Sequence, residues 1–130
     1  MGRLREESIL ISFETVHETN LARCKRWHPG FPNDGWTGAD WSNAVAGEVG
    51  ELCNVVKKLR RSDMGIVGKA DSDRATLMAM LANEMADVFL YLDLLSSFYG
   101  VHLPSAIAGK FDAVSRREGW PERLGPMAAS

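Results

Sequence analysis

The chain has 130 residues, 45% of them hydrophobic and 25% charged, which suits one globular domain that buries roughly two-thirds of its unfolded surface. Fifteen Lys plus Arg stand against 17 Asp plus Glu, a formal net charge of -2, so no overall basic field draws in duplex nucleic acid or an anionic membrane. Cys24 and Cys53 are the only cysteines and sit in no CxxC or Cys/His spacing, so neither a disulfide framework nor a zinc site is suggested.

The N-terminal "MGRLREESIL" lacks the apolar core of a signal peptide, and no uninterrupted apolar run is long enough to cross a bilayer, so a cytoplasmic protein with no membrane partner is expected. The first amphipathic helix is read over residues 7 to 25, through Ile9, Phe13, Val16 and Leu21. "RWHPGFPNDGW" follows as a Pro/Gly-rich loop. Thr37-Gly38-Ala39-Asp40 has the form of a capping box and opens a second helix through Trp41, Val45, Leu52, Val55 and Leu59 to about Ser62. "SDMGIVGKADSD" reads as a loop, with Ser72 or Asp71 capping a third helix through Leu77, Leu81, Val88, Leu92 and Leu95 to Tyr99. Leu103-Pro104 opens a fourth helix, which Gly119 and Pro121 close. The expectation is an all-α fold resembling a four-helix bundle, one domain over residues 1–124 with a disordered tail at 125–130.

In "AGEVGELCNVVKK", Glu48 and Glu51 stand three apart, so they present two carboxylates to one side of the second helix. "NEMADVFLYL" repeats the device with Glu84 and Asp87. If the two helices pack antiparallel, four acids meet in one place, where their mutual repulsion is most simply relieved by a divalent cation. Carboxylate oxygens alone suit hard ions such as Mg2+, with Mn2+ able to substitute, and motifs of Glu-x-x-Glu and Glu-x-x-Asp in place of paired Glu-x-x-His count against a di-iron centre. The competing account makes these acids solvated charges or partners in helix-surface pairs, such as Glu51 with Lys58 or Asp87 with Arg74.

"WSNAVAGEVGELCNVVKKLRR" followed by "LANEMADVFLYLDLLSSFYGVHLPSAIAGKFDAVSRREGWPERL" resembles the MazG-like all-alpha nucleoside triphosphate pyrophosphohydrolases, over about Trp36 to Leu124. That family's signature is Glu-x-x-Glu, a spacer, then Glu-x-x-Asp. "WHPG" and "REGWPERL" are most similar to phage-type members, some of which act on dGTP or dATP, which would place the protein in a host cytoplasm. The resemblance implies hydrolysis of a nucleoside triphosphate to its monophosphate and pyrophosphate. It implies Mg2+ held by Glu48, Glu51, Glu84 and Asp87, with Glu48 or Glu51 accepting a proton from the attacking water. The spacer, residues 52 to 83, is long for the pattern, and the family's C-terminal Lys-to-Asn-Arg segment stands here as "KFDAVSRR", without the Asn.

For the phosphates, Lys57 or Lys58 on the second helix and Lys110 with Arg116 on the fourth are the candidates, each of which can equally be a solvated helix-end cation. For base and sugar, Trp27, His28, Trp36, Trp41 and Asn43 precede the first acidic pair, and Tyr91 stands four after Asp87. Trp41 and Tyr91 can equally be core, whereas Trp27 and Trp36 fit a substrate lid. Met78, Met85, Phe89 and Leu92 widen the apolar band of the third helix beyond what one neighbour covers, and with the resemblance they imply a homo-oligomer, a tetramer rather than a dimer. Two other function classes fit parts of the pattern. A non-catalytic helical interaction module needs no metal, and a polynucleotide-processing metal enzyme needs a basic track that the charge balance lacks.

Overall fold

The computed structural model describes residues 10–66 and 73–125. Its elements, all helical, are α1 (Phe13–Trp27), α2 (Gly38–Asp63), α3 (Arg74–Phe98) and α4 (Leu103–Glu118). Among the described residues there is no strand.

Local chemistry sets each boundary. Ser12 caps α1 by accepting from the Thr15 amide, so the helix starts at Phe13; residues 7–9 of the expected helix lie outside the described ones. Thr37 caps α2 in a complete capping box: its hydroxyl accepts from Asp40 N, and the Asp40 carboxylate accepts from Thr37 N. Asp73, not the expected Asp71 or Ser72, caps α3 through Thr76 N at 2.8 Å, and the two expected residues lie outside the described ones. Gly119, left-handed at φ 75°, ends α4, where a side chain would be strained.

The two long helices pack against each other, and α1 lies on α3. Their direction follows from two clusters of the core. Near the start of α2, Trp41 packs with Leu94 near the end of α3, together with Cys24 and Phe31; towards the end of α2, Val55 and Leu59 pack with Leu77 near the start of α3. The pair is therefore antiparallel. Glu48 and Glu51 fall between the clusters on α2, and Glu84 and Asp87 fall between them on α3.

The all-α expectation holds, with four helices among the described residues, and of these α4 packs least closely on the others. Ile107 and Phe111 remain exposed on it. It packs instead against the segment that follows: the buried Asp112 accepts from Leu124 N at 2.7 Å and Gly125 N at 3.1 Å. Gly125, expected to begin a disordered tail, is thus held, and residues 126–130 lie outside the described ones. By length and composition alone α3 could cross a membrane, but it carries Glu84 and Asp87 mid-length and packs along α2.

Candidate metal centre

Three of the four expected acids converge. Glu48, Glu84 and Asp87 each offer a carboxylate oxygen within 4.8 Å of the others, the one such group of metal-type donors among the described residues. The i, i+3 spacing turns each pair to one side of its helix, and the antiparallel register sets the two sides opposite each other.

Glu51 adjoins this trio, and its charge acts on both Glu48 and Glu84. Desolvation is the largest cause of a raised pKa at Glu48, followed by the charges of Glu51, Asp87 and Glu84. At Glu84 desolvation again leads, followed by Glu51 and Asp87. Both carboxyls are thus held above their ordinary range because ionising them adds charge to a crowded, partly dehydrated site. One oxygen of each, Oε2 of Glu48 and Oε2 of Glu84, is buried without a hydrogen-bond partner. An acceptor in that state is left unsatisfied unless a cation or a proton meets it. An all-oxygen donor set with two orphaned acceptors fits a hard divalent ion.

Among the described residues no ion pair of Glu51 with Lys58 or of Asp87 with Arg74 forms. Arg74 pairs with Asp63, not with Asp87. Lys57 is exposed and Lys58 half-buried, about 9 and 10 Å beyond Glu51 along the helix axis at 1.5 Å per residue. Lys110 lines a groove with Phe111, Val114, Trp120 and Pro121 that none of the four acids enters, and Arg116 is exposed beside Asp112, whose carboxyl its charge helps hold low.

The expected base-recognition residues split. Trp41 is core, 1% exposed, and its Nε1 finds no acceptor. The His28 ring lies 4.7 Å from Trp36 and 5.0 Å from Trp41, and Trp36 lies 4.7 Å from Trp41, so these three rings pack on one another. His28 Nδ1 is further tied to Asp34. The loop is therefore anchored at the start of α2 by its own aromatics. Trp27 is exposed, with the Arg23 guanidinium 6.0 Å from its ring centroid. Asn43 is exposed, and Tyr91 packs on the cluster around Trp41.

One polar network had no counterpart in the sequence reading. Asp93, buried on α3, joins His17 and Asn20 of α1, 76 and 73 positions away, a separation that no local spacing reveals. No protein-family model matches the chain, and a search of curated proteins finds no match either.

Proposed function

We propose that the protein is a metal-dependent nucleoside triphosphate pyrophosphohydrolase of MazG-like type, converting a (deoxy)nucleoside triphosphate, dGTP or dATP among the first to test, to the monophosphate and pyrophosphate. One observation carries this reading: Glu48, Glu84 and Asp87 meet across α2 and α3 with two buried carboxylate oxygens unpartnered, and Glu51 stands beside them. The resemblance of both acidic motifs and their flanks to that family supplies the reaction class.

Glu48, Glu51, Glu84 and Asp87 would hold Mg2+, or Mn2+ in its place, which when bound neutralises phosphate charge and lowers the pKa of water. Glu48 or Glu51 accepts the proton that the attacking water loses. Water adds to phosphorus, the bond to the bridging oxygen breaks, and the two terminal phosphates leave together as pyrophosphate. Lys57 or Lys58 on the same helix, with Lys110 and Arg116 brought in by a second copy or by movement of α4, would contact the triphosphate. Trp27 and Trp36, the exposed members of the aromatic set, are its candidates for contacting the base. The reading places the protein in the cytoplasm, with the nucleotide as its partner, as a homo-oligomer, a tetramer before a dimer.

The test is incubation with a panel of nucleoside triphosphates and Mg2+, with products separated chromatographically. Monophosphate plus pyrophosphate, without a diphosphate intermediate, is expected. Glu51→Gln and Asp87→Asn should each abolish that activity while leaving helicity intact, and retained activity in both overturns the site. A non-catalytic interaction module draws on a different observation, the uncovered apolar side of α4. It predicts no saturable stabilisation by Mg2+ or Mn2+, where the enzyme reading requires it.

A further inference from the structure

His17 and His102 stand between two neighbouring cavities where α1 meets the end of α3 and the start of α4. The carboxylates Glu14, Glu18 and Asp93 line only one of them. The other, of about 390 Å3, has no acid in its lining and takes Lys25 and Ser97 in addition to the two histidines, against apolar walls that include Leu21 and Phe31. His17, Leu21 and Lys25 follow one another at i, i+4 and i+8, so they share a side of α1, and the lean of helical side chains towards the N-terminus leads the lysine stem back towards His17. Among the described residues Lys25 has no carboxylate partner. The protons of this cavity are placed by their neighbours. His102 Nδ1 accepts from the Ser105 amide as the α4 cap, so its ring proton lies on Nε2 and remains to donate. His17 is held the other way round. Its Nδ1 lies 2.9 Å from Asp93 Oδ1, and because an ionised carboxylate only accepts, the proton sits on Nδ1 and the lone pair on Nε2. Ser97 Oγ, 3.4 Å from that same Nδ1, can only accept there, which leaves its own proton to donate elsewhere.

The cavity therefore carries three donors, Lys25 Nζ, Ser97 Oγ and His102 Nε2, and one acceptor, His17 Nε2. We propose that it binds inorganic hydrogen phosphate, whose unprotonated oxygens accept from the three donors while its P–OH donates to His17 Nε2. Sulfate has the same shape but no O–H, and would set an oxygen against that lone pair. A phosphate monoester above its second pKa of about 6 lacks the O–H as well, so the match is to the free ion and not to the head of an ester. Asp93 is the positioning residue, since it fixes the His17 tautomer. The bound ion would tie the first turn of α4, the helix that packs least closely on the others, to α1 and α3. The site shares no residue with the acid cluster and is independent of the activity proposed there.

The experiment titrates sodium phosphate, sodium sulfate and phenyl phosphate into the full chain at constant ionic strength and about pH 8, where imidazoles are ordinarily neutral. Chelator keeps divalent ions from the acid cluster, and calorimetry and thermal melts follow binding. Phosphate should bind saturably and raise Tm, whereas sulfate and phenyl phosphate, which leave the His17 acceptor unmet, should bind about tenfold more weakly or worse. Lys25→Gln, at an exposed position, should weaken phosphate binding about tenfold or more with the melt in plain buffer unchanged. Asp93→Asn sets an amide against His17, and with its N–H turned to Nδ1 the ring proton moves to Nε2. Phosphate should then lose its lead over sulfate, a change of selectivity that a merely structural role for Asp93 would not produce. Should Asp93→Asn fold poorly by circular dichroism, Ser97→Ala supplies the second reading, weaker phosphate binding with the selectivity kept. No saturable phosphate binding by the parent overturns the proposal. So does sulfate or phenyl phosphate binding as tightly as phosphate, phosphate binding unchanged in both Lys25→Gln and Ser97→Ala, or selectivity unchanged in a folded Asp93→Asn.

Discussion

Replacing Trp41 separates its two expected roles, core side chain and base platform. The indole is 1% exposed and packs with Cys24, Phe31 and Leu94, its ring 5.0 Å from His28, 4.7 Å from Trp36 and 5.4 Å from Phe31. Truncating a buried Trp to Ala costs about 3–5 kcal/mol. The ring contacts push towards the upper end, at about 0.5–1.5 kcal/mol per aromatic pair. The orphaned Nε1 works the other way, since deleting an unpaired buried N–H returns about 1–3 kcal/mol. The balance is about 4 kcal/mol for Trp41→Ala. With an unfolding entropy of about 2.1 cal/mol/K per residue over 130 residues, Tm falls by about 15 °C. Trp41→Phe keeps the ring contacts and removes the unpaired N–H, so it costs about 1 kcal/mol or less. Thermal melts by circular dichroism at one protein concentration, alongside steady-state kinetics with the preferred nucleotide, read both variants. A Tm loss under about 5 °C for Trp41→Ala, or a tenfold rise in KM with Tm unchanged, would refute the packing argument and return Trp41 to the base site.

Stability without metal should depend on pH through Glu48 and Glu84. Their pKa values are raised in the fold by desolvation first and by neighbouring carboxylates second, so their contribution is full below the ordinary value of 4.5 and is lost as pH rises through the raised values. Melts in chelator should therefore show Tm falling from just above pH 4.5 towards neutrality, a fall that Mg2+ cancels and that Glu48→Gln with Glu84→Gln removes; a flat profile in chelator contradicts the crowding. Asp112 behaves oppositely, because the Leu124 amide first, with Gly125, Arg116 and Arg123 assisting against desolvation, holds its pKa low. Its contribution is present above 3.8 and lost as pH falls through the depressed value, and Asp112→Ala should abolish hydrogen-exchange protection at the amides of residues 124 and 125. Light scattering at micromolar concentration should report a homo-oligomer, and a fully active monomer would remove the assembly reading.

What was legible in the sequence was what local spacing encodes. The Thr37–Asp40 capping box formed as read, and Glu48, Glu84 and Asp87 came together because an i, i+3 interval keeps each pair on one side of its helix however the helix packs. Trp41 was open to two readings because position on a helix face does not say whether the face meets a neighbour or a ligand. The stand-off of α4 was hidden for a related reason. Leu103, Ile107, Phe111 and Val114 follow the period of a core helix, and periodicity predicts an apolar side without naming what covers it. The Asp93 network and the Asp112 clasp were out of reach, since each joins a carboxylate to groups that only the tertiary fold brings near.

The position of the acids within the core argues that they serve a ligand. An antiparallel helix pair gains most by an unbroken apolar seam, yet here the seam is divided into a cluster around Trp41 and Leu94 and another around Val55, Leu59 and Leu77. The carboxylates occupy the interval, where similarly sized apolar side chains would join the two clusters and leave no orphaned acceptors. Replacing charged groups in a helix seam by well-packed apolar side chains of similar size commonly costs the fold nothing. A solvated helix surface would spread its acids outward, away from one another, and would raise no pKa by desolvation. Three acids whose oxygens meet between the helices, with Glu51 beside them, would instead lower the stability of the metal-free chain, and a cation bound there would restore it by RT ln(1 + [L]/Kd). Carboxylates that would weaken an empty fold and be relieved by a cation are what the proposed metal-dependent site requires, and fold stability alone gives no reason to keep them.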